Sequence, residues 1–154
     1  MRYFTRVFAV VAVLTGAIIF LTTGNAAENA KPHRIAVQID QNDTALMNLL
    51  LNNVSNTMEY YHGRGEQVQI EVVAYGPGLN MLRDDTSPVK DRLKRIKEGS
   101  FPSAITFSAC GVTKAGMEAK EGHPIPIVAQ ASVVPSGVVR LNELQEQGWS
   151  YIRP

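Results

Sequence analysis

One cysteine stands in 154 residues, with three histidines, one tryptophan and almost no charge excess: 15 Lys and Arg against 14 Asp and Glu. A single cysteine excludes an intrachain disulfide, a Cys-x-x-Cys redox pair and a cysteine-rich zinc site. His33, His62 and His123 show no metal-ligand spacing, so neither a metal nor a cofactor is expected. The near-neutral charge gives a polyanion nothing to hold, and nucleic acid is not an expected partner. Dinucleotide-binding spacing is absent, and Gly76-Pro77-Gly78 lacks the lysine of a phosphate-binding loop. The chain shows no internal repeat.

What the sequence does have begins at its first residues. Arg2 and Arg6 precede an uncharged run from Val7 to Leu21, which ends in the small and polar TTGNAAENA. A basic start, an apolar stretch shorter than the ~20 residues that span a bilayer, and small residues beyond it make a secretory signal. Residues 1–26 are read as that signal, with cleavage after Ala26 or Ala27, and the protein is expected in the periplasm or outside the cell. The other reading is an uncleaved leader that anchors the chain, the one membrane contact expected. Loss of the leader removes two arginines and no acid, leaving 13 basic residues against 14 acidic and a charge of −1. Residues 27–154 suffice for one domain with a single core. An idle exposed thiol is a liability in an oxidising compartment, so Cys110 is expected to be either hidden as a small apolar side chain or used.

The rest of the chain alternates two periodicities. Ile35, Val37 and Ile39 alternate as in a strand, and Asn42 or Asp43 caps a helix from Thr44 to His62 with Leu46, Leu50, Val54 and Met58 on its inner side. Residues 67–75 read as a strand covered on both faces, broken at Gly76-Pro77-Gly78. A short helical piece near Leu79 to Leu82 follows, then a helix from about Pro88 to Lys97 with Val89, Leu93 and Ile96 inward. Residues 103–109 form a third strand, Gly111 to Glu121 a helix closed by Gly122, and Ile125 to Val134 a fourth apolar segment whose start Pro124 and Pro126 blur. A helix beginning at Pro135, with Val138, Leu141 and Leu144 inward, and a short strand over 149–152 complete the chain. Strands alternating with helices predict an α/β fold of about five mostly parallel strands with helices on both faces.

In such a sheet, ligands gather beyond the carboxyl ends of the strands. Three loops are expected to meet there: residues 40–43, Gly76-Pro77-Gly78, and Cys110 after the third strand. Cys110 falls where a helix begins, so unpaired N–H groups and the helix dipole favour a thiolate, and Lys114 adds positive charge on the same side. The rival reading is a buried, inert cysteine at a strand end. Gly76-Pro77-Gly78 either brings backbone amides to an anion or is a turn that needs glycine for its dihedrals. A cysteine hydrolase needs a histidine beside its thiol, and His123 falls after the next helix, at the opposite sheet edge. Asp84 and Asp85 are read as turn residues without a partner, and the basic run over 90–97 as a solvated helix face.

The stretches TFSACGVT, AYGPGL and above all VVPSGVVRLNELQEQGWSYIRP resemble the DsrE/DsrF-like family of small α/β proteins linked to sulfur relay, over His33 to Pro154. The resemblance implies a three-layer, flavodoxin-like sandwich, homo-oligomers such as trimers or hexamers, and a cysteine that accepts sulfur as a persulfide. Carried onto this chain, Cys110 takes that role and Gly76, Pro77 and Gly78 match the neighbouring loop; Gly111 and Lys114 complete the expected ligand-binding set. The function so implied is a sulfurtransferase-like sulfur carrier, whose partners are a sulfur donor and an acceptor protein. The alternative is a non-enzymatic oligomeric module that binds a small ligand or a protein and keeps Cys110 as core. A disulfide between the Cys110 residues of two subunits is a third reading.

Overall fold

The computed structural model describes residues 31–154, so the expected leader, residues 1–26, lies outside the described residues. Five strands, β1 (His33–Ile39), β2 (Val68–Ala74), β3 (Ala104–Cys110), β4 (Ala131–Val134) and β5 (Ser150–Ile152), form one sheet. Their order is β4-β3-β2-β1-β5 and every pairing is parallel. Ile39 lies beside Ala74, Ala74 beside Ala109, and Ala109 beside Val133. Four strands therefore end on one edge, which is where the loops of interest begin.

Each crossover between parallel neighbours carries a helix. Helix α1 (Thr44–Gly63) starts where Asp43, rather than Asn42, accepts the Leu46 N–H at 3.0 Å. A 3-10 helix (Gly76–Leu82) follows β2, longer than the piece expected around Leu79. Helix α2 (Lys90–Glu98) starts two residues after Pro88, with Val89 as its cap. Helix α3 (Gly111–Glu121) starts directly on β3 and stops at Gly122, whose φ of 78° is the left-handed turn that glycine adopts freely. Helix α4 (Gly137–Glu146) leads into β5.

Strand side chains alternate between faces, and the two faces differ. Val37 and Ile39 of β1, Ile70 and Val72 of β2, and Ile105 and Phe107 of β3 pack beneath α1, α2 and the 3-10 helix in the main core. The opposite face buries Ala36, Val73, Leu141 and Leu144 against α4, with Tyr75 and Trp149 at the margin. That second face also buries three polar side chains: Gln38, Glu71 and Ser108.

Three sequence expectations need correction. Only Ala131–Val134 of the fourth apolar segment is a strand. Pro124 and Pro126 have no N–H to give a ladder, and the chain instead buries Ile125 and Val128 from irregular backbone, with Ile127 bridged to Arg83. Helix α4 begins at Gly137 rather than Pro135, and Val138 is 60 % exposed. The inward positions one turn apart are Gly137, Leu141 and Leu144, so the stripe runs through a glycine that pattern reading cannot see. Asp84 and Asp85 have partners: Lys90 binds Asp84 at 2.6 Å, and the buried Arg83 holds Asp85 at 2.7 Å and Glu121 at 2.7 Å. This cluster ties the loop after the 3-10 helix to the end of α3.

Candidate functional site

Cys110 is both the last residue of β3 and the cap of α3. The strand delivers it to the carboxyl edge. The helix turns its first unpaired N–H groups back onto it, and Thr113 N lies 3.5 Å from Sγ. The thiol is only 4 % exposed.

Two further segments close on the same sulfur. The Thr113 hydroxyl accepts the Gly76 N–H at 2.9 Å, so the turn after β2 supports the residue whose own N–H supports Cys110. From the other face, Gly137, the first residue of α4, closes on Cys110. A Cβ on Gly137 would lie 2.9 Å from the Tyr75 Cβ and 3.2 Å from the Cys110 Cβ, so only glycine lets α4 approach this closely. Burial pushes the thiol up. Thr113 and, after it, the backbone of Gly137 outweigh it, and Cys110 titrates below the usual thiol range.

The residues singled out from the sequence fall into three groups. Cys110, Gly111 and Gly76 come together, with Gly111 opening α3 so tightly under β4 that a Cβ there would meet the Val134 carbonyl at 2.9 Å. Pro77 borders with Gly76 a shallow groove of about 450 Å³ on the carboxyl edge, shared with Asn42, Thr113, Met117 and Lys120. The three expected loops do meet. Gly78 lies beneath, where a Cβ would be 2.3 Å from the Ile39 carbonyl, so its role in the geometry is to let the turn sit on β1. Lys114 is held apart: its ammonium is bound by Glu118, whose Oε1 also accepts the Ile125 N–H at 3.0 Å, and it makes no bond to the thiol. Glu118 is held below the usual carboxylate range chiefly by Lys114.

The histidines lie elsewhere. His33 starts β1, stacks on Tyr61 with ring centroids 4.0 Å apart and bonds Glu66; His62 is in the last turn of α1; His123 bonds the Pro124 carbonyl beyond α3. Among the described residues, no three of His, Cys, Asp and Glu gather as a metal-binding group.

Sequence reasoning missed Thr113, Gly137 and the polar edge around Tyr75. Thr113 had a usable signal, being a hydroxyl three residues after a capping cysteine. Tyr75, at the end of β2, is pushed up first by burial and then by Asp40 and Tyr151. Asp40 in turn takes bonds from Gln38 and from Arg153 at 3.0 Å each, which ties the C-terminal residues to the same edge as Cys110.

Comparison with known proteins adds three findings. A family model described as the DsrE/DsrF-like family matches residues 18–154. A solved structure, a protein of unknown function named MTH1491 from Methanobacterium thermoautotrophicum, is similar in sequence and fold. It is 33 % identical with a TM-score of 0.67, over 79 % of this chain and 99 % of that one. No curated protein sequence matches the chain.

Proposed function

The chain belongs to the DsrE/DsrF-like family, which is linked to sulfur relay, and from there we propose that it carries sulfane sulfur as a persulfide on Cys110. The observation that carries this reading is the seat of one thiol at the start of α3, where the Thr113 N–H lies 3.5 Å from Sγ and Gly137 of α4 closes on Cys110 from the other face. Such donors favour the anion before and after sulfur arrives, because both the thiolate and the persulfide bear a negative charge.

In the first step the Cys110 thiolate attacks the terminal sulfur of a donor persulfide or polysulfide. The donor S–S bond breaks, its remaining sulfur leaves as a thiolate, and a new S–S bond forms on Cys110. In the second step an acceptor thiolate attacks the outer sulfur, takes it, and releases Cys110 as a thiolate. Electrons balance without an outside oxidant, since the sulfane sulfur arrives already oxidised. Gly76 and Pro77 border the groove by which a donor is proposed to approach, Gly78 lets that turn sit on β1, and Gly111 keeps the start of α3 under β4.

The working unit is proposed to be a homo-oligomer outside the cytoplasm. Support for assembly comes from Val112, Val133, Val138 and Val139, four exposed apolar side chains carried by α3, β4 and α4. Support for export comes from Arg2, Arg6 and the apolar run from Val7 to Leu21.

The test is intact mass after incubation with inorganic polysulfide. The protein is expected to gain one sulfur atom that a reductant removes, while Cys110→Ser folds and gains none. Equal loading of Cys110→Ser, or no loading of the native protein, overturns the proposal. The 4 % exposure of Cys110 favours a second reading, a binding module with a core cysteine. Under it the thiol stays unloaded and Cys110→Ala costs stability without altering any sulfur transfer.

A further inference from the structure

A strand at the centre of a parallel sheet covered on both faces is ordinarily apolar throughout. β2 has β1 on one side and β3 on the other, yet it carries Glu71, which is 3 % exposed, on the face beneath α4. Its carboxylate is saturated with charged and neutral donors. Ser108 Oγ donates to Oε1 at 2.7 Å, and Arg140 donates from Nε to Oε1 and from Nη2 to Oε2, each at 2.7 Å. Such a forked pair fixes orientation as well as distance.

Arg140 lies in the first turn of α4, and its own N–H closes that turn on the Ser136 carbonyl at 2.9 Å. This is the turn that presents Gly137 to Cys110. Gly137 has no side chain with which to hold its place, and Ser136 makes no capping bond with its side chain. The lower half of the helix is seated by Leu141 and Leu144, but the upper half is seated by the Arg140–Glu71 pair. A buried ion pair adds little net stability over an apolar contact, whereas it specifies one arrangement.

We infer that Glu71 is a positioning residue: through Arg140 and Ser108 it fixes the first turn of α4 on the sheet and so holds Gly137 against Cys110. This deepens the persulfide reading and rests on Cys110 working as a thiolate.

The titratable side chains on the elements packed around Cys110 are few. They are Asp40 after β1, Glu71 in β2 and Tyr75 just beyond it, Lys114 bound to Glu118 with Lys120 and Glu121 further along α3, Arg140 with Glu143 and Glu146 on α4, and Tyr151 and Arg153 at the C-terminal end. Two effects of losing the Glu71 charge then have opposite signs. By its field alone, removal of a carboxylate leaves Arg140 less compensated and draws the thiol midpoint down. By position, a loosened α4 takes a donor away from the sulfur and moves the midpoint up.

The experiment is the rate of Cys110 alkylation against pH in the folded native protein, in Glu71→Gln and in Leu144→Ala, each with its melting temperature. Glu71→Gln is expected to raise the midpoint by about half a pH unit, which is roughly a threefold loss of thiolate below it. Leu144→Ala, which cuts a buried contact in the lower half of α4, is expected to lower the melting temperature at least as far and leave the midpoint in place. A midpoint in Glu71→Gln that is unchanged or lower overturns the inference, as does an equal rise in Leu144→Ala. Should Glu71→Gln fail to fold, Ser108→Ala removes one of the three bonds and is expected to give a smaller rise, no rise being the contrary result. A native midpoint no lower than that of the unfolded chain defeats the thiolate reading itself, and the inference with it.

Discussion

One face of the sheet carries Ile70, Val72, Ile105 and Phe107 beneath α1, α2 and the 3-10 helix; the other carries Gln38, Glu71, Ser108 and Cys110 beneath α4. The first face is held by burial of apolar surface, which is non-directional and grows with area. The second buries polar groups whose bonds must be made at set distances, so it contributes less stability and more geometry. Cys110 stands at the seam. It receives the Thr113 N–H from α3, a residue whose hydroxyl is tied to the turn after β2, and meets Gly137 of α4 on the polar face. A thiol served from one side alone would have fewer donors to offset its burial.

Substitutions can break this comparison in order of expected effect. Phe107→Ala leaves a cavity in the apolar face and should cost about 3–5 kcal/mol in chemical unfolding, against about 1 kcal/mol for Ser108→Ala on the polar face. Equal losses would mean that the faces do not divide the work. Gly137→Ala forces α4 off Tyr75 and Cys110 and should cost about 1–3 kcal/mol, with a raised thiol midpoint in the alkylation profile. Stability lost without a change in midpoint would count against the contribution of α4 to the sulfur. Thr113→Val takes the hydroxyl from the thiol and the acceptor from Gly76, at about 1 kcal/mol. Its midpoint should rise while far-ultraviolet dichroism stays native.

The smallest effect concerns pH and lies at the end of α3. Arg83 holds Asp85 and Glu121 below the usual carboxylate range. A carboxyl whose pKa is lowered by folding stabilises the fold above its ordinary range, and that contribution is lost as pH falls through the folded value. Arg83→Met should therefore flatten the acid limb of stability against pH while the alkylation midpoint of Cys110 stays put. A moved midpoint would show that Arg83, which lines the same groove as Gly76 and Thr113, acts on the sulfur as well as on the fold.

The strands and helices were legible because the chain repeats two periods cleanly: Ile35, Val37 and Ile39 at two, and Leu46, Leu50 and Val54 at four, close to the 3.6 of a helix. Cys110 was legible because a lone cysteine at a strand-to-helix junction invites a question. The polar face was not. Glu71 is the one charged residue of its strand, and nothing in its neighbours shows that its partner, Arg140, stands 69 residues away. Gly137 was hidden for a different reason: an inward position filled by close backbone approach carries no hydrophobic signal, so the stripe was assigned to Val138. The run from Ile125 to Val134 misled because burial and strand structure share one apolar signal, and prolines remove the ladder while leaving the burial.

The most direct test of the account is the pH dependence of Cys110 alkylation in the folded protein, with the urea-unfolded chain as reference. The account predicts a folded midpoint below the unfolded one. A thiol that reacts only after unfolding, or with a midpoint at or above the unfolded value, would contradict it and leave Cys110 as core.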